Sequence, residues 1–152
     1  MTRPLILICN DDGIASPGLA AAAAALAPLG DLLIVAPSEQ QSGMGRSFPK
    51  FNDGRLFPTT VCYDGQTWPG YGANASPAQA IDHAVLELAD RLPALSVSGI
   101  NFGENVSTSV TGSGTVGAAL EAAAFGIPAL AVSLETDPSL HYAYDDSVDF
   151  ST

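Results

Sequence analysis

Two adjacent carboxylates, Asp11 and Asp12, stand between an amide and a glycine in Asn10-Asp11-Asp12-Gly13. Neighbouring acids at one strand end repel each other unless a cation lies between them. Two other polar, glycine-spaced tracts follow apolar runs: Ser38-Glu39-Gln40-Gln41-Ser42-Gly43 and Gly99-Ile100-Asn101-Phe102-Gly103-Glu104-Asn105. Together they offer two carboxylates, the Ser42 hydroxyl and the Asn101 amide carbonyl. An all-oxygen donor set suits Mg²⁺, Mn²⁺ or Ca²⁺ better than zinc, which favours cysteine and histidine. The alternative for Asn10 to Gly13 is a solvated Asx turn.

A second feature is Gly112-Ser113-Gly114-Thr115 at the start of a helical stretch. Free N–H groups and the positive end of the helix dipole favour an anion there, and two hydroxyls add donors. The alternative is an ordinary serine cap with flexible glycines. Gly112-x-Gly114-x-x-Gly117 also matches a dinucleotide fingerprint literally, with Glu135 downstream. That fingerprint must follow a strand directly, and here about 13 residues separate it from Ser98. His83 lies in a helical stretch with no motif around it, and nothing in the spacing demands a role for His141. No Gly-x-Ser-x-Gly elbow follows a strand, so a serine triad lacks support.

These residues need a frame. Residues 5–9 and 32–36 are continuous apolar runs, as expected of strands buried on both faces. Residues 17–29 form an alanine-rich helix with Pro17 in its first turn. Further strands are expected at 94–98 and 128–134, with short ones near 59–63 and 67–71. Helices are expected from Ser76-Pro77 to about Asp90 and over 113–125, the latter closed by Gly126. Residues 99–112 read as a loop. Strand–helix–strand order implies a mostly parallel sheet with right-handed crossovers: an α/β, Rossmann-like three-layer sandwich. In such a sheet the ligand crevice lies beyond the strands' carboxyl ends, where the polar tracts fall.

The chain has 152 residues, 47% of them hydrophobic, enough for one core. The domain is expected over 1–135, with 136–152 the start of an incomplete C-terminal segment. Sixteen acids against five bases give a net charge of −11, and Lys50 is the only lysine. That argues against binding duplex nucleic acid. A phosphate ester would need a cation or backbone amides to offset repulsion. No apolar run approaches the roughly 20 residues of a membrane span, and the N-terminus lacks a signal-peptide pattern, so a cytoplasmic location is expected. Cys9 and Cys62 read as small core residues.

The loops also carry a family pattern. Asn10-Asp11-Asp12-Gly13-Ile14 with Ser16-Pro17-Gly18 resembles the opening signature of the SurE family. Ala36-Pro37 with Gln41-Ser42-Gly43, then Ser98-Gly99-Ile100-Asn101 with Gly103 and Asn105, look like its second and third loops. Ser113-Gly114-Thr115-Val116-Gly117-Ala118-Ala119 with Glu121 is similar to its fourth, and Ile127 to Ser133 to the strand that follows. The match is ordered and covers about residues 4–135.

The resemblance implies a metal-dependent phosphomonoesterase that hydrolyses nucleoside 5′- and 3′-monophosphates with one Mg²⁺ or Mn²⁺ per subunit. Asp11, Asp12, Ser42 and Asn101 would hold the ion, with Asp11, Asp12 and Asn101 catalytic. Ser42, Gly43, Asn101, Ser113, Gly114 and Thr115 would face the phosphate. A homodimer or homotetramer is expected. The family's usual Thr-Pro-Ala-Asp-Cys is replaced by Ser76-Pro77-Ala78-Gln79-Ala80, which leaves the role of Gln79 open. Two rivals stand beside this reading: a phosphatase using Asp11 as nucleophile, against which the adjacency of the acids counts, and a binder of nucleotide without turnover.

Overall fold

A computed structural model describes residues 2–137 and 148–150; His141 lies outside the described residues. β1 (Leu5–Cys9), β2 (Asp31–Pro37), β3 (Leu56–Tyr63), β4 (Gln66–Ala73), β5 (Leu95–Phe102) and β6 (Ala129–Leu134) form one sheet of order β3-β4-β2-β1-β5-β6. Among the described residues only the β3–β4 pair is antiparallel. β1 lies at the centre, wholly buried, because its five apolar side chains cover both faces of the sheet.

The helices take opposite faces. α1 (Pro17–Leu26) packs on β1, β3 and β5, while α2 (Pro77–His83) and α4 (Gly114–Ala124) pack on each other and on β1, β2, β5 and β6. The sheet is thus sandwiched between helical layers, the architecture the alternating pattern implies. Ser16 caps α1 by accepting from Leu19 N, and Pro17 fills the first position, where no N–H is needed. Ala20 to Ala23 are all buried; their small side chains let α1 lie close to the sheet. β1 feeds α1 and then β2 on one side, while β5 lies on the other. The strand order therefore switches direction at β1, which opens a crevice at its carboxyl end.

Several boundaries differ from the sequence reading. β5 runs on to Phe102, so Gly99 to Asn101 belong to a strand rather than a loop, with a register shift against β6 between Ser98 and Asn101. Such an irregularity re-aims side chains beside a site. A short helix, α3 (Ser109–Gly112), fills the end of the expected loop. α2 stops at His83 and continues as one wider turn, Ala84–Leu88. β3 and β4 are longer than expected and join through Asp64-Gly65, both at positive φ, a two-residue hairpin turn. Cys9 is buried, and burial pushes its thiol up to about 12, so it is inert. Cys62, by contrast, is exposed on the edge strand β3, not a core residue.

Two further expectations meet particular structures. Gln79 completes a capping box at α2: its Oε1 accepts from Ser76 N while its own N donates to Ser76 Oγ. It therefore organises the helix start at the position where the family's usual acid is absent. Phe150, from the expected C-terminal segment, packs on Ala21 and Phe102, with ring centroids of the two phenylalanines 5.6 Å apart. Among the described residues no helix is long and apolar enough to cross a membrane.

Candidate active site

Asn10 makes the Asx turn that the sequence left open. Its Oδ1 accepts from Gly13 N at 3.1 Å, and its Nδ2 donates to Ser16 Oγ at 2.6 Å and to Gly13 O. The turn carries the chain off β1 and leaves Asp11 and Asp12 free of that task. Both acids are nearly closed to solvent, at 4% and 3% exposure.

Asp11 is held by α4. The Thr115 hydroxyl donates to Asp11 Oδ1 at 2.5 Å, and the backbone N–H groups of Thr115 and Gly114 also donate to the carboxylate. The anion expected at this helix start is thus a side chain of the protein itself. The same hydroxyl lies 3.0 Å from Asn101 Oδ1, so one hydrogen is shared between two strand tips. Asn101 Nδ2 donates to Gly103 O at 2.6 Å, which fixes which face of the amide points at Thr115.

Asp12 is held by β5 and by the loop after β2. Phe102 N donates to Asp12 Oδ2 at 2.9 Å, and the Gln40 side chain adds a hydrogen bond. Gln40 Nε2 also donates to Ser42 Oγ at 3.0 Å. Gln41 N donates to Asp11 O at 2.7 Å, tying that loop to the tip of β1. Gln40 was not singled out from the sequence; its reach to Asp12 depends on how β1 and β2 lie side by side.

A cleft of about 380 Å³ opens over these tips, lined among others by Asp11, Ser42, Gly43, Asn101, Glu104 and Ser113. Five of the eight expected site residues are therefore brought to one wall. Asp12, Gly114 and Thr115 do not line it; Gly114 and Thr115 stand behind Asp11 and grip it. Ser113 caps α4 through Val116 N and shows its side chain to the cleft. Asn105 and Ser109, which attracted no site assignment, also line it. His83 lies elsewhere, paired with Glu87 at 2.6 Å on the helix surface. In the dinucleotide-like pattern Gly114 and Gly117 serve close packing, Gly114 against Asp11 and Gly117 against Gly45, while Gly112 lines the cleft with open space beside it.

The electrostatics follow from burial. Desolvation raises the Asp11 carboxyl above its usual range, opposed by the Thr115 hydroxyl and the two amides. Asp12 is pushed up to about 7, first by burial and then by the charge of Asp11. A carboxyl that binds its proton more tightly folded than unfolded loses stability as pH rises between its two pKa values. With EDTA present, the melting temperature should therefore fall from about pH 4 to about pH 7 through the Asp12 contribution, and added Mn²⁺ should remove that fall. Thermal melts at pH 5 and pH 8, with and without the ion, check this.

Among the described residues no lysine or arginine lines the cleft, and no three His, Cys, Asp or Glu side chains come together to hold a metal. What the strand tips offer is a pair of carboxylates that repel each other, with hydroxyl and amide oxygens beside them. That donor chemistry fits a hard divalent cation.

A parallel sheet with a polar crevice at its switch point defines an α/β protein whose ligand site is built by the loops after β1, β2 and β5. The family model described as survival protein SurE matches residues 6–151, and the chain belongs to the SurE family. It is 49% identical over 130 residues to a 5′-nucleotidase SurE of Methanopyrus kandleri, which covers 86% of this chain and 48% of that protein. It is 45% identical over 150 residues to the 5′-nucleotidase SurE of Methanothermobacter thermautotrophicus, with 96% and 56% covered. The crystal structure of the SurE protein from Aquifex aeolicus superposes with a TM-score of 0.73 at 33% identity, covering 91% of this chain and 54% of that one. The chain spans about half the length of the curated relatives it matches.

Proposed function

We propose that this cleft hydrolyses phosphomonoesters, nucleoside 5′-monophosphates first and 3′-monophosphates second, with one Mg²⁺ or Mn²⁺ per subunit, in the cytoplasm. One observation carries the reading. Asp11 and Asn101, from two different strand tips, line one cleft with Ser42 and are aligned by a single hydroxyl, in a wall that among the described residues has no lysine or arginine. A phosphate dianion in such a place requires a cation. The names of the relatives support the choice of nucleotides.

Asp11, Ser42 and Asn101 would hold the ion from the cleft wall, with Asp12, which does not line the cleft, completing the set from beneath. When bound, the ion supplies Lewis acidity to a phosphoryl oxygen and acidifies water. Asp11, on the cleft wall, orients the attacking water in line with the ester bond and takes up its proton. Asp12 acts from behind, fixing Phe102 and, through Gln40, the Ser42 hydroxyl. The Ser113 hydroxyl, the turn at Ser42-Gly43 and the Asn101 amide face the equatorial oxygens, where negative charge grows in the transition state. Gly114 and Thr115 serve the phosphate only through Asp11. The ester oxygen departs as a nucleoside hydroxyl, taking its proton from solvent, and Asp11 returns the water's proton to solvent.

Release of phosphate from p-nitrophenyl phosphate and from AMP and GMP should occur with Mn²⁺ and stop with EDTA. Nucleotide bound tightly with no phosphate released would make the protein a binder instead. A homodimer or homotetramer belongs to the same reading. It is supported by Leu120, Leu130 and Val132, which leave an apolar face exposed around the edge strand β6.

A further inference from the structure

The loop that brings Ser42 to the cleft is fastened a second time, away from the ion-binding oxygens. Arg46 Nε donates to Glu121 Oε2 at 2.5 Å. Glu121, on α4, is only 6% exposed. Asp82 of α2 lies against it, its carboxyl raised by burial and then by the charge and hydrogen bond of Glu121.

The neighbouring backbone is seated just as closely. Gly45 N donates to Gly112 O at 2.9 Å, and Gly112 lines the cleft. Gly117 of α4 touches the Gly45 carbonyl, and a Cβ there would come within 2.7 Å of Arg46 N. Ser76 Oγ donates to Ser47 O at 2.6 Å, and Gln79 Nε2 to Pro49 O at 3.2 Å. Residues 45–49 are therefore seated on the first turns of α2 and α4. Ser42 and Gly43, themselves exposed, hang between this seat and the Gln41–Asp11 bond.

We propose that the Arg46–Glu121 ion pair, backed by Asp82, is a positioning clamp that holds the Ser42–Gly43 turn in register with the cleft. Its kinetic half rests on the phosphomonoesterase reading; its structural half does not. The Arg46 side chain is half exposed while Glu121 is buried, so letting go costs the guanidinium little but leaves a buried carboxylate without its cation. A turn set loose by a fraction of an ångström weakens contacts made in the transition state more than those made to bound substrate.

The test compares the Mn²⁺-loaded wild type with Arg46→Ala, Arg46→Lys and Glu121→Gln. Arg46→Ala should lower kcat roughly tenfold with KM little changed, and should speed hydrogen exchange of the Gly45 amide by a similar factor. Arg46→Lys, which keeps the charge, should recover part of kcat. Glu121→Gln, which keeps the shape, should repeat the Arg46→Ala pattern if the alanine variant folds poorly. Wild-type kcat in Arg46→Ala, or a rise in KM with kcat intact, overturns the clamp. If the wild type releases no phosphate from any ester, the hydrolase reading fails instead. The clamp is then judged by exchange alone, and unchanged exchange at Gly45 rejects it.

Discussion

Asp11→Asn should reduce phosphomonoester hydrolysis by about a thousandfold or more while leaving the protein folded. The substitution keeps the size and the planar oxygen that accepts from Thr115, so the packing at the strand tip survives. It removes the negative charge that a divalent ion and an attacking water both require. Stability should change little. Asp11 is nearly buried beside Asp12, and burial works against its charge. A neutral amide is spared most of that penalty, and it also relieves Asp12 of the repulsion that helps push its carboxyl up to about 7. The amide NH2 would meet backbone N–H groups that now donate to the carboxylate, which gives back part of that gain, so with EDTA at pH 8 the variant should melt close to wild type. Calorimetry with Mn²⁺ should show weakened binding, and the p-nitrophenyl phosphate assay should show the lost rate. Wild-type kcat in this variant at saturating Mn²⁺ would remove Asp11 from the chemistry.

The second large effect concerns a residue with no chemistry of its own. Gly114 opens α4 directly behind Asp11, and a Cβ there would lie 2.7 Å from Asp11 Cβ, 2.9 Å from Asp11 Oδ2 and 3.1 Å from Pro77 Cγ. On helix propensity alone, alanine should stabilise by up to about 1 kcal/mol. The steric conflict is larger: overpacking a fixed site costs about 1–3 kcal/mol, and here both neighbours are held, Asp11 by three donors and Pro77 by its helix start. Gly114→Ala should therefore destabilise by about 1–2 kcal/mol. It should also push Asp11 out of line and lower kcat by about a hundredfold. Chemical denaturation and the same phosphatase assay measure both. A more stable, fully active variant would mean that Asp11 is not seated as described.

Much of the frame was legible from the sequence because burial on two faces writes itself as an unbroken apolar run. Leu5 to Cys9 and Leu32 to Ala36 are such runs, and both are central strands. The tip of β5 was not legible: Gly99 and Asn101 have loop-like chemistry, yet Asn101 pairs with Ser133 of β6 and Gly99 sits in the irregularity between the two paired stretches. The hairpin turn at Asp64-Gly65 had a readable signal, yet its strands contain Pro58, Pro69, Gly70 and Gly72, which obscured their length. At the site, the residue types that could meet at strand ends were readable because a parallel sheet gathers those ends. The orientation of each was not. Thr115 turns toward Asp11 rather than into the cleft, and the helix start is filled by that same carboxylate, because α4 lies against the tip of β1. Contacts such as Gln40 with Asp12, or Arg46 with Glu121, join loops and helices whose approach no local pattern encodes.

Phe102 is engaged on two sides at once. Its amide hydrogen goes to Asp12, and its ring leans on Phe150, a residue far downstream in the chain. The acid pair is thereby braced by the segment at residue 150 and by the sheet together. A change around residue 150 that lets this ring tilt would reach Asp12 through one peptide unit and would move Phe102 itself, which lines the cleft, with no substitution among the acids.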